Sequence, residues 1–322
     1  MSRTRSASRF SARLVVVAVA VAAGSATILS GCATGPGTGS AGSGAVGAPI
    51  AIVASTDVYG DIASHIGGSA VSVTSIITDP SKDPHEYTAD AQNQLALSRA
   101  AIVVENGGGY DDFVDTMLSS AKNPGVTVLN VASISGYDQQ PASGAFNEHL
   151  WYDFATVSKV ADQLATRLGS IDPANASTFS ANAVAFQREI ASLEATEAQL
   201  KAAHAGTEVA ITEPVPLYLL TALGLVNVTP EKFSAAVESG TDAAPDVLAQ
   251  TESLFTSGQV KLLVYNSQAS GPQTDAVLAA ATSAGAATVA ATETLPRGSG
   301  YVQWMTDNLA ALSSALSEQS AR

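Results

Sequence analysis

The chain has 322 residues, enough for two domains of ordinary size, and its 29 acidic residues outnumber 15 basic ones for a net charge of −14. That balance argues against a nucleic-acid surface, which needs clustered Lys and Arg. The one cysteine, Cys32, excludes an intrachain disulfide and a cysteine-based zinc cluster. Aromatic residues are only 6% of the chain, but small aliphatic residues still build a large core at this length.

At the N-terminus, Arg3, Arg5, Arg9 and Arg13 precede an apolar run from Leu14 to Ala23. A positive segment followed by a short apolar one is the layout of a secretory signal. The run is too short and too rich in Ala for a membrane span, and no Arg-Arg pair indicates a twin-arginine route. Leu29-Ser30-Gly31-Cys32 follows and resembles the lipobox of bacterial lipoproteins. The resemblance implies a signal peptide over residues 1–31 and Cys32 as the lipidated first residue. Lipid chains would anchor it at roughly 0.8 kcal/mol per buried methylene. Removing residues 1–31 takes away four arginines and no acid, lowering the net charge from −14 to −18. Residues 32–49 then form a lipidated, flexible tether of small residues.

From Ile50 onward, strands are predicted at Ile50–Ala54, Val71–Ile77, Ala101–Glu105 and Val126–Asn130, with helices near Tyr59–Ile66 and Asp111–Ser120. Such alternation argues for a parallel sheet covered on both faces, here a first lobe over residues 50–153. Residues 154–205 are a helical connection, with helices over about 154–169 and 173–204. Asp172 is the expected cap and Pro173 the first helical residue of the second. A helix of about 30 residues spans about 45 Å. Residues 206–322 resume the alternation, with strands at Glu208–Thr212, Val226–Thr229, Lys261–Tyr265 and Ala287–Ala290. Helices are predicted near Leu217–Ala222, Pro245–Thr256, Gln273–Ala284 and Tyr301–Glu318. The expected fold is α/β: two lobes, each a mostly parallel four-stranded sheet with flanking helices, joined by a long helix with a cleft between them.

The four histidines are His65, His85, His149 and His204. His85 lies in Asp83-Pro84-His85-Glu86-Tyr87 and His149 in Asn147-Glu148-His149-Leu150-Trp151-Tyr152-Asp153. Loops at strand ends are where open α/β sheets bind ligands. On their own, two distant histidines fit hydrogen-bonded structural roles equally well. His65 reads as part of a solvated helix face, and His204 as a cation suiting a helix C-terminus. Glu86 and Glu148 read as surface charges or as partners orienting an imidazole. Trp151 and Tyr152 are expected to pack the cleft wall or core, Asp111 and Asp112 to cap a helix, and Gly107–Gly109 to form a turn. Dinucleotide and Walker glycine patterns are absent.

Taken together, these segments resemble the metal-binding solute receptors of ABC transporters that serve zinc, manganese and iron uptake. The similarity is carried by Val53-Ala54-Ser55-Thr56, Gly60-Asp61-Ile62-Ala63, Ile66-Gly67-Gly68, the His85 motif, Asn106-Gly107-Gly108-Gly109 and the His149 motif, in that order. The resemblance implies one divalent metal held between the lobes by His85 and His149 from the first lobe and by Glu213 and Glu293 from the second. Two imidazoles and two carboxylates suit divalent first-row metals. Glutamate stands at position 213, where zinc receptors often show histidine, and residues 132–145 lack the His-rich loop common in those receptors. Both features favour Mn²⁺ over Zn²⁺, with Fe²⁺ left open. The resemblance further implies a monomeric, non-enzymatic receptor anchored to the outer face of the bacterial cytoplasmic membrane. Its partners would be a cognate ABC permease and its ATPase.

Two other functions compete. A metallo-hydrolase would keep a metal position open for water beside a general base, but the His-Glu-x-x-His and Gly-x-Ser-x-Gly patterns are absent. An adhesion lipoprotein could reuse the same binding fold.

Overall fold

The computed structural model describes residues 48–79, 87 and 90–320. The expected signal peptide, most of the tether, Cys32 and His85 lie outside the described residues. No helix among the described residues is long and apolar enough to cross a membrane.

In the first lobe, β1 (Ile50–Thr56), α1 (Asp57–Gly67), β2 (Val71–Ile77), α2 (Ala91–Arg99), β3 (Ile102–Glu105), α3 (Phe113–Ala121), β4 (Thr127–Asn130) and α4 (Val131–Ser135) follow in order. The strands are all parallel, in the order β2-β1-β3-β4. Strand β1 is apolar on both faces because both are covered. Ile52 and Ala54 face a central core, while Val53 joins Leu97, Val103, Val114 and Met117 beneath α2 and α3.

Helices α5 (Phe154–Ile171) and α6 (Ala176–His204) come next. The 29 residues of α6 span about 44 Å. This helix packs against α1 and α5 on one side and α7 (Leu217–Ala222) and α11 (Tyr301–Ser320) on the other. It starts three residues later than its sequence suggests. The Asp172 carboxylate accepts from the Ala174 N–H and the Asn175 side chain, holding Pro173 in a turn, and Asn175 takes the capping position.

The second lobe repeats the topology. Here β5 (Glu208–Ile211), β6 (Val226–Asn227), β7 (Leu262–Asn266) and β8 (Ala287–Ala291) form a parallel sheet in the order β6-β5-β7-β8. Helices α8 (Glu231–Glu238), α9 (Pro245–Thr256) and α10 (Pro272–Ser283) complete it. Leu263 packs beneath α8, α9 and α10 with Phe233, Phe255 and Val277. Leu262 and Val264 turn to the opposite face and join the same central core as Ile52 and Ala54. One continuous apolar core, with Trp151, Phe179, Phe186 and Trp304 among its members, therefore unites both sheets with α5, α6 and α11.

Candidate metal site

In each lobe the chain leaves the first strand to one side and returns to the other. The crevice that binds ligands in open α/β sheets opens at that reversal, beyond the carboxyl ends of the strands. The loops there are residues 106–111 after β3, 212–214 after β5, 267–268 after β7 and 292–294 after β8. The segment carrying His149 lies between α4 and α5, just before a tight 3-10 turn over Leu150–Tyr152.

His149 is fully buried. Its Nδ1 lies 2.7 Å from Asn147 Oδ1, and its own backbone N–H donates to that atom at 3.2 Å. A backbone N–H only donates, so the shared amide atom is oxygen; Nδ1 donates to it, and Nε2 is the ring nitrogen turned toward Glu238. Asn147 also reaches the second lobe, donating from Nδ2 to the Pro214 carbonyl at 3.2 Å and accepting the Tyr218 hydroxyl on its own carbonyl at 2.8 Å. One side chain thus ties the His149 segment to the loop bearing Glu213. The imidazole is wedged edge-on against Trp151, with ring centres 5.2 Å apart, and against Tyr110 at 6.1 Å.

Glu213 and Glu293 are both buried, at 5% and 6% exposure. Two neighbours orient Glu293. Asn266 Nδ2 donates to its Oε1 at 2.7 Å, and its backbone N–H donates to Gln268 Oε1. The buried hydroxyl of Tyr110, from the first lobe, interacts electrostatically with its carboxylate. Burial, then the Glu293 charge, raises the Tyr110 hydroxyl well above its ordinary pKa, so it stays a proton donor. Tyr110 is placed by the glycine loop before it. Gly107 and Gly108 have φ of 70° and 69°, and a Cβ on Gly107 would meet the Asn130 amide at 2.2 Å. Asp111 closes this loop by accepting the Asn106 and Gly107 N–H groups at 2.6 and 2.7 Å. It is thus not the helix cap its sequence suggests. Asp112 occupies the cap position of α3 without a side-chain bond to the helix.

His149 is thus linked to the Glu213 loop through Asn147 and to Glu293 through Tyr110. His85, the remaining expected ligand, lies outside the described residues. The donor atoms that converge most tightly among the described residues belong to a different set: Glu148, His149 and Glu238, all within 4.8 Å of one another. Glu238 Oε1 is 3.5 Å from His149 Nε2. Sequence reading missed Glu238, Tyr110 and Asn147 as site residues. His65 sits apart on α1, where its Nδ1 contacts Asp61 and its ring packs against Phe186. The Asp61 hydrogen bond raises its pKa to about 9. Trp151 and Tyr152 are core residues, as expected.

The donor set fits a divalent transition metal. With the Nδ1 proton held by an amide oxygen, Nε2 is the nitrogen that would meet a metal, the usual arrangement of a ligating imidazole. The nearby carboxylates offer oxygen donors that suit such ions.

The chain is 28% identical over 162 residues to the manganese-binding lipoprotein MntA of Halalkalibacterium halodurans, covering 50% of this chain and 53% of that one. It is 26% identical over 145 residues to the iron-binding protein YfeA of Yersinia pestis, covering 45% and 46%. The matched regions thus span about half the length of these relatives. The fold is similar to that of the periplasmic zinc-binding protein TroA from Treponema pallidum, at 18% identity and a TM-score of 0.70, over 84% of this chain and 99% of that one. The family model of zinc-uptake complex component A, periplasmic (ZnuA), matches residues 52–315, and the chain belongs to that family.

Proposed function

We propose that the protein is the extracytoplasmic substrate-binding component of a metal-ion ABC importer. It takes one divalent transition metal into the cleft between its lobes and delivers it to a cognate permease driven by its ATPase. The observation that carries this reading is His149, a buried imidazole whose Nδ1 proton is held by Asn147 and whose Nε2 faces a carboxylate at the cleft. Metal-binding names among the relatives, for manganese and for iron, support it.

His85, His149, Glu213 and Glu293 are the proposed ligands, with His85 assigned on its motif alone. The abundance of carboxylate favours Mn²⁺, since oxygen donors suit that ion, although a given nitrogen and oxygen site binds Zn²⁺ more tightly. The protein carries the ion without chemical change, so the reading assigns no catalysis. Export and anchoring through lipidated Cys32 follow from the lipobox-like segment and agree with the lipoprotein name of the MntA relative. The shared core and the long α6 limit relative movement of the lobes, so capture involves small loop adjustments.

The test is titration calorimetry of purified, chelator-treated protein with Mn²⁺ and Zn²⁺ separately, alongside H85A and E213Q. One-to-one binding that weakens at least tenfold in both variants is expected. Absence of specific binding by folded wild-type protein would refute the reading and leave adhesion as the stronger alternative.

A further inference from the structure

We propose that Glu238, at the end of α8, is a direct donor to the bound metal ion. The site would then carry three carboxylates from the second lobe and favour oxygen-seeking Mn²⁺ over Zn²⁺. This inference rests on the metal-receptor reading above.

Three observations carry it. The first is spacing. Two donors bound at about 2.1 Å to one tetrahedral ion lie about 3.4 Å apart, and about 3.0 Å apart on adjacent corners of an octahedron. His149 Nε2 and Glu238 Oε1 are separated by 3.5 Å. The second is protonation geometry. Because Asn147 holds the Nδ1 proton, it is Nε2 that faces a carboxylate oxygen. A cation between the two atoms, a metal ion or a second ring proton, holds them together, and the cobalt spectrum below separates the two.

The third is position in the fold. Glu238 is the last residue of α8, where the helix dipole disfavours negative charge. Its carboxylate is nevertheless held inward against buried His149, and a cation bound there offsets the unfavourable dipole. The flanking residues Val237, Gly240, Thr241 and Asp242 line a pocket of about 440 Å³ together with Glu213 and Gln268. Gln268 accepts the backbone N–H of Glu293. The end of α8 therefore opens onto the same space as Glu213, beside the glutamine that holds the Glu293 backbone. A third carboxylate hardens the donor set, which is the direction that suits manganese.

The experiment compares purified full-length wild type, E238Q and E238D. Each is titrated with Mn²⁺ and with Zn²⁺, and each is loaded with Co²⁺ for visible absorption. Glutamine keeps the size and shape of the side chain, and circular dichroism verifies folding. The expected result is at least a tenfold loss of Mn²⁺ affinity in E238Q with a smaller loss for Zn²⁺. The cobalt bands should intensify as one oxygen donor leaves and the ion becomes four-coordinate. E238D, which keeps the charge but shortens the reach, should weaken Mn²⁺ and alter the cobalt spectrum as well; it carries the test if E238Q does not fold. Wild-type affinities in the variants, or weaker binding with an unchanged cobalt spectrum, would overturn the proposal and leave Glu238 as a neighbour of His149. A wild-type protein that binds none of the three ions would instead defeat the receptor reading itself, and this inference with it.

Discussion

Removal of the Tyr152 hydroxyl tests how the first lobe holds the Glu293 loop of the second in place. Tyr152 is 1% exposed. Its hydroxyl donates to the Thr292 carbonyl at 2.9 Å and accepts the Thr292 N–H at 3.3 Å, so it grips both polar groups of the residue before Glu293. Y152F deletes both bonds and leaves two backbone groups without that partner. Each bond contributes about 0.5–1.5 kcal/mol net, and water reaches half-buried Thr292 to recover part, so the loss should be about 1–3 kcal/mol. Urea denaturation should show a midpoint lowered by on the order of 1 M. Metal affinity should fall about tenfold, since a loosened Glu293 forfeits roughly 1.4 kcal/mol of binding. Y301F is the control. The Tyr301 hydroxyl also joins the lobes, donating to the Trp151 carbonyl at 2.6 Å, but it does not hold a carboxylate loop. Y301F should lower stability comparably and disturb affinity less. Equal affinities in the two variants would refute the claim that Tyr152 acts through Glu293.

Further outcomes follow from the same geometry. N147A removes the acceptor that fixes the His149 tautomer and the donor to Pro214, so metal affinity should drop about 10- to 100-fold, measured by calorimetry. G107A forces a side chain into a backbone with φ of 70° and against Asn130. It should lower stability by about 1–3 kcal/mol, read by thermal unfolding. Glu105 is buried, and burial, partly offset by the Asn130 amide, raises its pKa from 4.5 to about 7. Below pH 4.5 both folded and unfolded chains hold its proton; between that value and about 7 only the folded chain does. Its contribution is therefore full below pH 4.5 and declines as pH rises through 7, by up to about 3 kcal/mol. E105Q should flatten the denaturation midpoint across that window.

Most strands were legible because each is rich in apolar and β-branched residues and is bounded by loop residues. Val71–Ile77 is recovered without a shift, as are the helices at Leu217–Ala222 and Pro245–Thr256, the last marked by Pro245 at its first turn. Helices α2, α4 and α8 were not legible, for physical reasons. Only Leu97 of α2 is buried, so no apolar stripe marks it; its signal is Asp90, which caps it by accepting the Gln92 and Asn93 N–H groups. Helices α4 and α8 have five and eight residues, too few turns for periodicity to emerge. Missing α8 concealed Glu238, because Val237-Glu238-Ser239-Gly240 carries no local mark of a donor. Its place beside the imidazole arises only when folding brings a residue 89 positions later in the chain against His149. Tyr110 and Asn147 were equally hidden, since each acts across the boundary between lobes.

The apolar core running unbroken between the two sheets has a consequence for signalling. A receptor whose halves swing wide announces its cargo by a change in outline. Here both sheets share one interior, so on the proposed reading a loaded and an empty molecule would present almost the same shape to a docking partner. What changes most is the field at the mouth of the cleft. On the proposed reading, Glu213, Glu238 and Glu293 would bring negative charge there, and an incoming dication would cancel much of it. For a receptor built this way, occupancy is written in surface potential, and a permease would read it at a distance set by the ionic strength around it.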